Sequence, residues 1–204
     1  MSRALFLDRD GTLNVRLDGY VTCPDEFRLI DGVAEAMALL ASRFDHIFVV
    51  TNQQGIGKGL MTEADLEAVH ALMVRQIEAA GGRIDRIYHC AALQSAHSFM
   101  RKPSIGMALC ARRDYRDIEL KHSVMVGDTR SDMLFGRRAG MQTVLVGPEV
   151  EVARREPHLV DYRYDDLLDY AHSWRQRRTE EVGQNTTDGN REQETEQLDD
   201  VQAQ

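Results

Sequence analysis

Two carboxylates one residue apart, Asp8 and Asp10 in LFLDRDGTLN, close an apolar run. Carboxylates delivered to the tip of a buried segment need a cation or a set of donors, because an unpaired charge is costly away from water. Comparable positions hold further polar groups. Thr51 and Asn52 follow HIFVV, Lys102 lies in RKP, and Asp128 and Asp132 frame the turn GDTRSD behind SVMV. Three carboxylates gathered in one crevice repel each other unless a cation sits among them, and an oxygen-only set suits Mg²⁺. Lys102 supplies the positive charge that a phosphate needs. Singly, each piece has an ordinary reading. A strand-terminal Asp is commonly a turn or cap residue, TNQQGIGKG lacks the GK[ST] of a phosphate loop, and RKP alone is a surface basic pair. Their conjunction in this order points to one site.

That site needs elements to position it. Short apolar runs alternate with longer amphipathic stretches, the pattern of a parallel sheet with crossover helices. RALFLD, HIFVVT, RIDRIYHC, SVMVGD and QTVLVG read as five strands, and DYRYDDLLDYAHSW as a last short strand and helix. Helices are predicted over DGVAEAMALLASRF, over TEADLEAVHALMVRQIEAAGG, over SIGMALCARRDY and over DMLFGRRAGM. The second of these opens on Thr62 with Asp65 three residues on, a capping-box spacing, and closes on glycines. If the first, second and fourth strands are neighbours, Asp8, Asp10, Thr51 and Asp128 meet at their carboxyl ends, where open parallel sheets bind ligands. Asp132 joins them if the next helix begins between it and Asp128.

The 204 residues suit one α/β domain over 1–174. From Arg175 onward the chain has one Leu, two Val and no aromatic residue, and 175–204 is expected to be a disordered polar tail. The net charge of −8 argues against a nucleic-acid surface built on bulk positive charge. No apolar run approaches the length of a bilayer, and ALFL meets Asp8 too early for a signal peptide. Cys23, Cys90 and Cys110 are odd in number and scattered, as free thiols of a reducing cytoplasm would be. We therefore expect a cytoplasmic protein with no membrane or nucleic-acid partner. Oligomeric state is left open by the sequence, with a monomer expected.

In order, Asp8-Arg9-Asp10-Gly11-Thr12, Thr51 in VVTNQ, Lys102 in RKP and Gly127-Asp128 through Asp132 match the four motifs of the haloacid dehalogenase-like (HAD) phosphatase superfamily. The chain resembles that superfamily over about residues 3–147. The resemblance implies a three-layer, Rossmann-like α/β fold with a parallel sheet, and a Mg²⁺-dependent phosphomonoester hydrolase. Asp8 would be the nucleophile that forms an aspartyl-phosphate, and Asp10 the acid and base. Asp8, the backbone carbonyl of Asp10 and Asp128 would hold Mg²⁺, with Asp132 supporting. Thr51 and Lys102 would bind phosphoryl oxygens. A non-catalytic phosphate-binding scaffold is the competing class, and the retention of both Asp8 and Asp10 argues against it.

LDRDGTLN, TNQQGIGKG, TEADLEAVH and RKPSIGM are similar to the small cap-less branch that contains phosphatases of heptose bisphosphate and of histidinol phosphate. No insert long enough for a cap separates the motifs. Selectivity is then expected from the loops 15–24, 53–61 and 90–100. A small phosphorylated sugar or alcohol is the expected substrate, with heptose 1,7-bisphosphate first. Asn52, Arg101 and Lys58 are expected to bind it, the forked donors of Arg101 suiting a second phosphate. Two features depart from the branch. Its structural zinc pattern before RKP is broken, since Ser98 and Met100 stand where cysteines would fall and His89, Cys90 and His97 remain, so no structural Zn²⁺ is expected. Thr129 stands where the branch carries a phosphate-binding Lys.

Overall fold

The structure, a computed structural model, describes residues 2–148 and 150–174; the tail expected over 175–204 lies outside them. The six strands form one parallel sheet: β1 (Ala4–Leu7), β2 (His46–Asn52), β3 (Arg86–Cys90), β4 (Val124–Gly127), β5 (Gln142–Val146) and β6 (Tyr162–Tyr164). Their spatial order is β3-β2-β1-β4-β5-β6, so the chain winds outward in both directions from β1. Phe6 is in register with Phe48 of β2 and Met125 of β4. The strands that deliver Asp8, Thr51 and Asp128 are therefore immediate neighbours. The reversal of winding at β1 opens a crevice at their carboxyl ends.

All of β1 is buried, because both faces of the sheet are covered. Leu5 and Leu7 point into one core with Ile47, Val49, Val124 and Val126. That core is closed by α1 (Val33–Ala41), α3 (Glu63–Ala79) and α7 (167–174), through Met37, Leu40, Val69, Met73, Ile77, Leu167 and Tyr170. Ala4, Phe6, Phe48, Val50 and Met125 face the other core. There α4 (Gly106–Asp114) and α5 (Arg130–Ala139) contribute Met107, Ala108, Ala111 and Phe135. Each such fully buried large side chain is worth about 1.5–3 kcal/mol of transfer free energy, and the two layers hold the central strands rigidly. This is the three-layer α/β arrangement expected from the alternation of apolar runs.

Local signals worked where chemistry fixed them. Thr62 and Asp65 cap α3 reciprocally: Asp65 N donates to Thr62 Oγ1 and Thr62 N to Asp65 Oδ2. The helix stops at the glycines, with Gly82 N bonded to Ile77 O. α5 begins at Arg130, between Asp128 and Asp132 as the site required. Two elements were not anticipated: a helical turn, α2 (Gln54–Gly57), in the 53–61 loop, and α6 (Glu151–Arg155) after β5. Cys23, Cys90 and Cys110 are free. Among the described residues no helix is long and apolar enough to cross a membrane.

Candidate active site

The crevice beyond β1, β2 and β4 holds a cavity of about 310 Å³ lined by Asp8, Asp10, Thr51, Asn52, Arg101, Lys102 and Asp132, with Arg16, Tyr20 and Gln54 at its sides. Asp128 stands beside it: one carboxylate oxygen each from Asp8, Asp128 and Asp132 lie within 4.8 Å of one another. The residues singled out from sequence thus converge, apart from Lys58. Its Nζ lies 5.2 Å above the ring of Tyr20, at the mouth of a neighbouring hollow.

Lys102 is the hub. Its buried ammonium lies 2.7 Å from Asp8 Oδ1 and 2.7 Å from Asp132 Oδ1, and donates to the carbonyl of Val50 at 2.7 Å. Burial opposes its charge, yet Asp132 and Asp8 outweigh that and raise its pKa. Its backbone is fixed by Asn52, whose Oδ1 accepts from Lys102 N and whose Nδ2 donates to Lys102 O. The residue expected to touch substrate therefore also clamps the segment carrying Lys102. Asp132 is fully buried and divides its oxygens: Oδ1 faces Lys102, while Oδ2 accepts from Thr129 N and Oγ1, closing the first turn of α5. This close return is why Gly127 precedes Asp128; a Cβ at Gly127 would lie 2.4 Å from Asp132 Cβ. Thr129 is thus engaged with Asp132.

The two motif carboxylates live in opposite environments. Asp8 is pushed up to about 7, by burial first and then by Asp132, with Lys102 pulling the other way. Asp128 is pushed up to about 6 by burial and Asp132, opposed by Arg16. For Asp10, burial works upward but is overcome by the charge and hydrogen bonds of Arg9, with Asn14 and Gln53 adding donors, and its pKa is lowered. Asn14 Nδ2 donates to its Oδ1 at 3.0 Å and Gln53 Nε2 to its Oδ2 at 2.8 Å. Arg9 itself is 0 % exposed, bonds both oxygens of Asp10 through Nη2, and sets Nη1 3.4 Å from His70 Nε2. The ring of His70 is held neutral, its pKa pushed down to about 3 by burial and then by Arg9.

Sequence reasoning missed five contributors. Gln53 joins Asp10 to Thr51, donating to Thr51 Oγ1 at 2.8 Å. Arg9 anchors Asp10 from beneath. Tyr20 and Gln54 meet at the cavity wall, Gln54 Nε2 donating to the tyrosine oxygen at 2.9 Å. Arg16 reaches in from an exposed loop and donates to Asp10 O, Asp128 Oδ1 and Asp128 Oδ2 at 2.7, 2.9 and 2.7 Å. Neither Gln53 nor Arg16 carried a signal, since a Gln in TNQQG reads as a turn residue and an Arg in VRLDGY as a surface charge.

The donor set fits a hard dication. Its ligand atoms are all oxygens, and the pKa values of Asp8 and Asp128 are raised by burial first and then by the charge of Asp132, costs that such an ion offsets. Gly11, with φ +92°, brings its backbone to the cluster where a Cβ would sit 2.1 Å from Asp128 Oδ2. By contrast, the remnants of the zinc pattern sit apart in their partners: His89 Nε2 pairs with Glu63 at 2.9 Å, Cys90 is buried, and His97 is exposed with φ 47°.

Comparison with known proteins gives the same direction. A family model described as HAD-hydrolase-like matches residues 99–170. The D-glycero-alpha-D-manno-heptose-1,7-bisphosphate 7-phosphatase of Campylobacter jejuni is 35% identical over 145 residues, covering 71% of this chain and 82% of the relative. The D-glycero-beta-D-manno-heptose-1,7-bisphosphate 7-phosphatase of Escherichia coli K12 is 38% identical over 174 residues, 81% of this chain and 90% of that one. The crystal structure of D,D-heptose 1,7-bisphosphate phosphatase from B. bronchiseptica, complexed with magnesium and phosphate, superposes with a TM-score of 0.79 at 31% identity, over 86% of this chain and 99% of that one.

Proposed function

The chain belongs to the heptose-1,7-bisphosphate 7-phosphatase family of HAD phosphatases, and we propose that its own substrate is a D-glycero-D-manno-heptose 1,7-bisphosphate, from which it removes the 7-phosphate. The observation that carries the reading is the pairing of Lys102 with Asp8 in a cavity whose second wall holds Arg101. One cation sits at the nucleophile and another stands where a second, distal phosphate would lie.

In the proposed chemistry a carboxylate oxygen of Asp8 attacks phosphorus. The bond from phosphorus to the sugar oxygen breaks as the aspartyl-phosphate bond forms. Asp10 has to enter the cycle protonated, against the donors of Arg9, Asn14 and Gln53 that favour its carboxylate in the free site, and it gives that proton to the leaving alkoxide. It then takes one from the water that attacks phosphorus, which frees Asp8 and releases inorganic phosphate. Lys102 and the Thr51 hydroxyl meet the charge on the phosphoryl oxygens. Thr51 Oγ1 accepts from Gln53, which leaves its own proton available to donate to a phosphoryl oxygen. Asp8, Asp128 and the carbonyl of Asp10 would hold Mg²⁺, with Asp132 supporting; the ion supplies positive charge that offsets the repulsion between carboxylate and phosphate. Arg101, anchored by an Nη1 contact to Ala92 O at 3.4 Å, receives the distal phosphate, and Lys58 adds charge at the rim.

A panel of both anomers of heptose 1,7-bisphosphate, histidinol phosphate and simple sugar phosphates tests this, assayed with Mg²⁺ and after chelation. Preferred hydrolysis of one heptose bisphosphate, lost on chelation, is expected. Preference for histidinol phosphate or another monophosphate would overturn the substrate assignment while leaving the phosphatase intact.

A further inference from the structure

We propose that Arg16 is a tethered cation that holds two of the Mg²⁺ ligands of this site and must leave them before the ion binds. The inference rests on the metal site proposed above and concerns a residue outside its motifs. One guanidinium nitrogen, Nη2, donates to both oxygens of Asp128 and to the main-chain carbonyl of Asp10. Arg16 and Asp128 lie 112 residues apart in sequence, and Asp10 and Asp128 follow two neighbouring strands, so the contact bridges two strand ends rather than decorating one loop. The Asp128 carboxylate and the Asp10 carbonyl also supply the oxygens assigned to the ion. A Mg²⁺ ligand oxygen sits about 2.0–2.1 Å from its ion, and no N–H of a second cation can share the same lone pairs at hydrogen-bond distance.

The setting is built for release. Arg16 is 49% exposed along its side chain, and its neighbours Val15, Leu17, Asp18 and Gly19 are exposed too. Gly11 clears its path: a Cβ there would come within 2.9 Å of Arg16 Nε as well as 2.1 Å of Asp128 Oδ2. The consequence is a site in which the carboxylates stay compensated without metal, at a cost in metal affinity. Also facing Asp128 are Asp8 and Asp132, which repel its charge, and Lys102, which attracts it, and none of them bonds the Asp10 carbonyl.

Calorimetric titration of MgCl₂ into the EDTA-stripped full-length protein tests this for wild type, Arg16→Ala and Arg16→Gln, with Lys58→Ala as a charge control. Lys58 sits over Tyr20 away from the ligand oxygens. Exposed ion pairs are weak, so removing the competitor is expected to tighten Mg²⁺ binding about fivefold in both Arg16 variants. Lys58→Ala should leave it unchanged. Thermal melts supply the second readout: without metal the Arg16 variants should melt below wild type, and saturating Mg²⁺ should close the gap. Equal affinity in wild type and the Arg16 variants overturns the inference alone, as does equal tightening in Lys58→Ala, which would mean a general charge effect. Absence of Mg²⁺ binding by the wild type overturns the metal site and this inference together.

Discussion

The side-chain amide of Gln53 donates to the carboxylate of Asp10 at 2.8 Å, and the same nitrogen donates to Thr51 Oγ1 at 2.8 Å. One buried amide thus couples the proposed acid and base on the first motif to the phosphoryl ligand on the second. Replacing it with Leu keeps the volume and removes both donors. Because misplacing catalytic groups by about an ångström costs roughly a hundredfold, Gln53→Leu is expected to lower kcat by that order. The variant should also weaken inhibition by inorganic phosphate, measured in steady-state assays alongside a melt that controls for folding. A kcat within a factor of about two of wild type would remove Gln53 from the account.

Arg9 is a structural prediction of a different kind. It is fully buried and its fork is engaged by Asp10, with His70 behind it. Removing one partner of a buried pair leaves the other uncompensated and costs about 3–5 kcal/mol. Asp10 retains Asn14 and Gln53 as donors, so Arg9→Met should fall at the lower end, about 3 kcal/mol, in urea denaturation. A loss under about 1 kcal/mol would mean that Asp10 does not depend on this anchor.

Stability without metal should fall with rising pH in a defined window. Asp8 has a folded pKa of about 7 against an ordinary 3.8, so the folded state binds its proton more tightly and loses stability as pH rises through 7. His70, pushed down to about 3, acts oppositely: it favours folding increasingly until its unfolded value of 6.5 is passed, then contributes a constant amount. Between pH 6.5 and 8 the fall from Asp8 dominates, Asp128 at about 6 adds to it slightly, and the last of the unfolded-state titration of His70 offsets part of it. In EDTA the net loss should be about 0.5 kcal/mol, or about 1–2 °C in Tm, and Mg²⁺ should reduce it. A flat or rising Tm over that range would contradict the placement of Asp8.

Arg101 separates binding of the distal phosphate from chemistry. It lines the cavity beside Lys102 but touches neither Asp8 nor Asp10 through a hydrogen bond among the described residues. Arg101→Ala should raise KM for the bisphosphate about tenfold, the loss of a charge-assisted bond. KM for a monophosphate should change little. Equal effects on both substrates would assign Arg101 to the reacting phosphate instead.

These residues also mark how far the sequence could be read. The parallel sheet was legible because apolar runs of strand length alternate with helical periodicity, and Asp8, Thr51 and Asp128 each close such a run. Asp132 followed from helix spacing, and Lys102 from its place after the third strand. Arg9 was not legible, because a charged residue beside a nucleophile gives no sign that it will be fully buried. Arg16 and Gln53 escaped for the same physical reason: their partners are set by how separate loops fold over the strand ends, which neither periodicity nor residue type encodes. The turn at Gln54–Gly57 was hidden by two glycines that weaken any helical signal.

The central claim is that Asp8 carries the phosphoryl group, and acid quenching during turnover tests it most directly. Wild-type protein stopped in the steady state with a radiolabelled phosphomonoester substrate should yield a labelled peptide containing Asp8, with the label removed by hydroxylamine as for an acyl phosphate. Asp8→Asn should give neither label nor turnover while melting as a folded protein. Turnover without label on Asp8, or activity surviving in Asp8→Asn, would contradict the account.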